Sequence, residues 1–151
     1  MADYYRYKAE YAYGEARENS TQSASNLYEA ANTLAENALL PINPLRLHLA
    51  INRSAFYFEV QNFPYHAYRV CQKAVDDARY CATRPQTKVQ CQEYNTLMSM
   101  LSDNIRIYQV EIVRRLHQAR RYVFDYLQEE EIIDRLRRRG LVVNINYINA
   151  Q

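Results

Sequence analysis

Apolar positions recur every three or four residues through most of this chain and are interrupted only where proline or glycine falls. The pattern predicts a first helix over about Ala2 to Tyr13, with Gly14 as the left-handed residue that ends it. A second helix starts near Ser20 or Thr21 and carries Leu27, Ala30, Ala31 and Leu34 on one face. It stops before LLPINP, because Pro41 bars helical geometry in the residue before it. Asn43 then caps a third helix that has Pro44 at its first position, runs to about Gln61 and is the most apolar of the set. Pro64 opens a fourth helix to about Ala82, with Phe63 a poor cap. A fifth begins near Thr87 and continues past Tyr108. No glycine or proline lies between Pro85 and Gly140, so either one unusually long helix or two helices bent near QEEE (128–131) fits. Ile112, Leu116, Ala119, Val123, Tyr126 and Ile133 keep close to helical spacing. The final LVVNINYINAQ is β-prone and reads as a frayed tail or an added strand.

Composition supports long helices. Two glycines and four prolines in 151 residues leave few turns, so an all-helical chain follows. Apolar residues at 48% and charged residues at 24% suit one soluble domain with a sizeable core. No run approaches the roughly 18 apolar residues of a membrane span, and the N-terminus lacks a signal-peptide core. Cys71, Cys81 and Cys91 are odd in number and evenly spaced, a poor disulfide framework that points to a reduced, cytoplasmic or nuclear, compartment. Charge is unevenly spread. Residues 1–110 balance eleven Lys/Arg with eleven Asp/Glu, residues 111–139 carry eight arginines and six acids, and residues 140–151 carry none.

Three stretches say more than spacing does: DYYRYKAEYA (3–12), PINPLRLHLAINRSAFYFEV (41–60) and EYNTLMSMLSDNIRIY (93–108). In order and spacing, with KAVDDA (73–78) between the second and third, residues 3–108 resemble the 14-3-3 family of phosphoserine/phosphothreonine-peptide adaptors. The resemblance implies an all-α fold, an antiparallel array like the C-terminal five helices of a 14-3-3 protein, here with an extra long C-terminal helix. The expected organisation is a truncated helical domain over 1–108, an Arg-rich amphipathic extension over 109–139 and an uncharged tail over 140–151. The resemblance also assigns the phosphate to Arg6 and Tyr7 of YYRY. A guanidinium matches phosphate bidentately, and a phenol adds a neutral donor.

Asn52 and Asn104 are then the carboxamides that hold the bound peptide's backbone through their paired donor and acceptor. Ile51, Asn52, Ala55 and Glu59 fall on one stripe of the third helix that can face Arg6 and Tyr7. Leu97, Met100, Asn104 and Tyr108 fall on one stripe of the fifth, with the apolar members as the groove wall. Read without the resemblance, Arg6 is a surface arginine paired with Glu10 one turn on, and the stripes are core packing. No cofactor or metal is implied. The expected partners are phosphorylated client proteins, and beyond them full-length relatives or a second copy of the chain.

Departures from the family pattern lower the expected affinity. The family's groove also draws a lysine and an arginine from a helix ahead of this segment. Each charged hydrogen bond contributes roughly 1.5–3 kcal/mol, so two missing cations lower affinity by on the order of 10²–10⁴. His48 stands for a glycine, Arg53 for an apolar residue, Ala55 for a valine and Tyr108 for a tryptophan. Arg53 points about 100° away from Asn52 on the helix wheel. Segment 109–139, through Ile112, Leu116, Val123, Leu127, Ile133 and Leu136, supplies an amphipathic surface suited to cover exposed apolar faces.

Catalysis is not expected. His48, His66 and His117 fall on separate helices without acid–base partners, and the cysteines lack zinc spacing. Two other function classes remain. One is protein association without a ligand. The other is polyanion binding, to nucleic acid or an anionic membrane, through RRLHQARR and RLRRR, disfavoured because DYLQEEEIID lies between them and can pair with them.

Overall fold

The computed structural model describes residues 1–138, with side chains described through Tyr122 and again at Asp134 and Arg138. Every regular element among the described residues is helical, as expected: α1 (Ala2–Tyr11), α2 (Gly14–Ala38), α3 (Pro44–Ala55), a π-helical turn (Phe56–Val60), α4 (Pro64–Tyr80) and α5 (Lys88–Arg138). The chain divides into two compact units, Met1–Ile112 and a second that begins at Val113. The packed core and the sites described below lie in the first.

Local chemistry explains the helix starts. Asn43 Oδ1 accepts the Leu45 amide at 2.9 Å, and Pro44 occupies the first helical position, where its missing N–H costs nothing. Thr87 and Gln90 form a reciprocal box. The Thr87 hydroxyl accepts the Gln90 amide at 3.2 Å, and Gln90 Oε1 accepts the Thr87 amide at 3.1 Å. Phe63 gives α4 no side-chain cap.

Two features differ from the sequence expectation. Gly14 does adopt a left-handed φ of 54°, but it opens α2 instead of ending α1, so α2 begins several residues before Ser20. The buried face of α2 is Ser20, Ala24, Tyr28 and Ala35, while Leu34 is exposed. Small side chains on that face let α2 approach Ala9 of α1 closely, and Tyr28 rather than leucine supplies the bulk.

Two apolar clusters form. One joins α3, α4 and α5 through Leu47, Ile51, Cys71, Val75, Leu97, Leu101 and Tyr108. The other joins α1, α2 and the π turn through Ala9, Ala24, Tyr28, Phe56 and Val60. Burial pushes the Cys71 thiol up to about 11, which keeps it a small apolar residue. Within the second unit Val113, Leu116 and Tyr122 are exposed, and Arg138 pairs with Asp134 one turn back. The side chains of Val123, Tyr126, Leu127, Ile133 and Leu136, and the whole 140–151 tail, lie outside the described residues. No helix among the described residues is long and apolar enough to cross a membrane.

Tyr108 ties the first cluster together. Its hydroxyl sits 3.2 Å from Ser54 Oγ, within hydrogen-bond distance, and Ser54 also meets the Ile51 carbonyl. Burial pushes its pKa up to about 12 from an ordinary 10.0, although the Ser54 contact works the other way. The folded state therefore holds that proton longer than the unfolded chain. This contribution to stability is complete below pH 10 and is lost as pH rises from 10 through 12, a change of about 2–3 kcal/mol. Tyr108→Phe should flatten the fall of the urea midpoint between pH 9.5 and 11.5. An unchanged slope would mean that the phenol titrates as in water.

Candidate functional site

α1 lies against α2 and the π turn, and this places the YYRY segment beside the end of α3. Two polar links cross the gap. Arg6 Nη1 donates to Glu59 Oε2 at 3.1 Å, and also to Glu10 Oε1 at 2.8 Å one turn along α1. Asn52 Nδ2 donates to Asp3 Oδ2 at 3.3 Å, while the other Asp3 oxygen accepts the Tyr28 hydroxyl at 2.5 Å. Arg6 and Asn52 therefore both lie at the polar junction, or trough, between α1 and the end of α3, with Glu59 and Asp3 as their acidic partners.

The guanidinium is enclosed. Arg6 is only 7% exposed, and it lies 4.1 Å from the centre of the Tyr7 ring. Burial opposes its charge, but Tyr28, Tyr7 and Glu10 outweigh that and raise its pKa above the ordinary value. It stays cationic at any working pH. Arg6 Nε is buried without a hydrogen-bond partner, so the fork has a donor to spare. Burial first, and then the bond to Asp3, push the Tyr28 phenol well above its usual range and fix it as a donor.

The predicted stripes separate on burial. Ile51 is buried in the α3–α4–α5 cluster, Asn52 and Ala55 are half-buried, and Glu59 is open to solvent. On α5, Leu97 and Tyr108 are buried core, whereas Met100 is exposed and Asn104 is half-buried with no side-chain hydrogen bond among the described residues. Tyr7 is half exposed. The pairing of Arg6 with Glu10 follows from i,i+4 spacing, but Arg6 is not a surface residue. The structure adds Asp3, Tyr28 and the Glu59 ion pair, which sequence reasoning did not find. Helical spacing had brought Glu59 to the right face, whereas nothing in the polar run around Tyr28 signalled its bond to Asp3. Among the described residues no group of histidine, cysteine or carboxylate side chains could hold a metal ion.

A buried arginine and a carboxamide, each held by a long-range contact between an N-terminal helix and a helix ending in a π turn, mark an all-helical protein with a built polar junction. The 14-3-3 protein family model matches residues 1–109, and the chain belongs to that family. It is 36% identical over 110 residues to Protein BMH2 of Saccharomyces cerevisiae, covering 73% of this chain and 40% of that protein. It is 38% identical over 107 residues to 14-3-3-like protein GF14 epsilon of Arabidopsis thaliana, covering 70% and 41%. It is 36% identical over 106 residues to the checkpoint signal transducer rad24 of Schizosaccharomyces pombe, covering 70% and 39%. The chain thus spans about two-fifths of the length of these relatives.

Proposed function

We propose that the chain is a phosphopeptide-binding adaptor in which Arg6 and Tyr7 receive a phosphoserine or phosphothreonine and Asn52 and Asn104 hold the peptide backbone. The observation that carries this reading is the enclosed Arg6 guanidinium, with a spare buried Nε, on the side of α1 that meets Asn52. The half-buried Asn104, with its carboxamide unengaged among the described residues, suits a second clamp. Phosphorylated client proteins are the partners this chemistry selects.

Binding is weak in the 151-residue chain by itself, because among the described residues its trough offers one cation, and that cation already holds two carboxylates. A phosphate must displace Glu59, which is half exposed and easily rehydrated. Glu59→Gln should therefore tighten phosphopeptide binding about three- to tenfold, since a like charge next to the incoming dianion is removed. Unchanged or weaker binding in that variant would show that Glu59 positions Arg6 and does not compete for it.

The direct test titrates a fluorescent phosphoserine peptide and its unphosphorylated twin against the chain. Tighter binding of the phosphorylated peptide supports the proposal, and equal binding of the two removes it.

A further inference from the structure

Arg53 takes no part in the trough. It lies about 100° round α3 from Asn52 and lines a second cleft, of about 470 Å³, between α2, α3 and α4. One wall is the α3 stripe of Arg46, Ala50 and Arg53, continued by Tyr57. The facing wall is the α4 stripe of His66, Arg69 and Lys73. Both stripes repeat at helical spacing, so each wall presents two full cations to the same space.

Three carboxylates partly neutralise these four cations. Asp77 is shared between Arg46 at 3.1 Å and Lys73 at 2.6 Å, Glu36 meets Lys73 at 3.3 Å, and Glu29 meets Arg53 at 3.2 Å. One positive charge is left over, and the unmatched group can be named. Arg69 has no ion-pair or hydrogen-bond partner among the described residues, although it lines the cleft. Arg53 Nε is buried without a hydrogen-bond partner, and the Glu29 side chain that holds the rest of its fork is 64% exposed. A buried donor left unmade is costly, and an exposed counter-ion contributes little. Both favour an anion entering the cleft.

The spread of charge selects among anions. Arg46 and Arg53 are seven residues apart, about 10 Å along the helix axis, and Arg69 and Lys73 are one turn apart on the facing wall. A single phosphate cannot reach both ends. We infer that the cleft between α2, α3 and α4 binds an oligophosphate group, held by Arg53 and Arg69 at one end and by Arg46 and Lys73 at the other. The site is separate from the trough on the α1 side and does not depend on the phosphopeptide reading.

Calorimetric titration of the full chain with tripolyphosphate tests this. Arg53→Gln/Arg69→Gln should weaken binding about a hundredfold, because each charged hydrogen bond lost is worth roughly a decade. Arg120→Gln/Arg121→Gln, which thins the competing arginine cluster of α5, should change it less than threefold. Arg69 is exposed, so the single Arg69→Gln variant cannot disturb the core. It should still lose a measurable part of the affinity if the double variant does not fold. A nucleoside triphosphate in a parallel arm identifies the source. Tighter binding than tripolyphosphate indicates a nucleotide, and equal binding indicates free oligophosphate. The proposal is overturned if the wild type does not bind tripolyphosphate, if only the Arg120/Arg121 variant loses binding, or if Arg6→Ala removes it.

Discussion

Arg6→Ala abolishes the preference for phosphorylated over unphosphorylated peptide while costing the fold only about 1–3 kcal/mol. Two magnitudes separate these outcomes. A phosphate gripped by two charge-assisted hydrogen bonds gains about 3–6 kcal/mol from them, so their loss lowers phosphopeptide affinity by on the order of 10²–10⁴. The same substitution strands Glu10 and Glu59, whose side chains are 24% and 51% exposed. Water rehydrates both, and each pair is worth about 1 kcal/mol or less. The stack of Arg6 on Tyr7 adds about 0.5–1 kcal/mol. The urea midpoint therefore falls by up to about 1.5 M while phosphate discrimination disappears. Arg6→Lys keeps the charge but loses the planar fork, and falls between the two. If Arg6→Ala retains the phosphate preference, the guanidinium is a structural cation only, and the Glu59 pair is its whole purpose.

Much of this was legible in the sequence because the signals were local. Asn43–Pro44 announces the start of α3 through the hydrogen bond that the Asn43 side chain makes. The paucity of glycine and proline forces long helices. The stripe Ile51, Asn52, Ala55 and Glu59 follows from helical spacing, and Glu59 does reach Arg6. What could not be read depends on partners far along the chain. Which face of α2 is buried is decided by Ala9 and Phe56, so an apolar count that chose Leu34 missed Ser20 and Ala24. The π turn after Ala55 has no sequence signature, yet it buries both Phe56 and Val60 while Glu59 stays at the trough. Spacing likewise placed Leu97 and Tyr108 with Met100 and Asn104, but the first two are buried in the cluster shared with α3 and α4, whereas Met100 is exposed and Asn104 half-buried. A stripe records direction from one helix axis, whereas access depends on its neighbours.

Phe56→Ala is expected to cost the most stability of any single change in the α1–α2 half. Phe56 is fully buried, stacks on Tyr28 at 5.3 Å and on Tyr57 at 5.7 Å, and belongs to a cluster whose other members are mostly small. Ala9, Ala24 and Val60 cannot expand into the space it leaves, so transfer and cavity terms add to about 3–5 kcal/mol. Domains of this size are stable by only about 5–15 kcal/mol. At a urea slope of about 2 kcal/mol/M the midpoint falls by roughly 2 M. Phe63→Ala is the matched control, the same substitution at a ring that is 52% exposed and touches His66, and it should cost about 0.5 kcal/mol. The effect extends to the trough, because Phe56 supports Tyr28, Tyr28 holds Asp3, and Asp3 holds Asn52. Amide exchange in α1 should therefore accelerate in Phe56→Ala and stay unchanged in Phe63→Ala. Equal costs for the two phenylalanines would mean that α1 is anchored by its ion pairs and not by the apolar cluster beneath it.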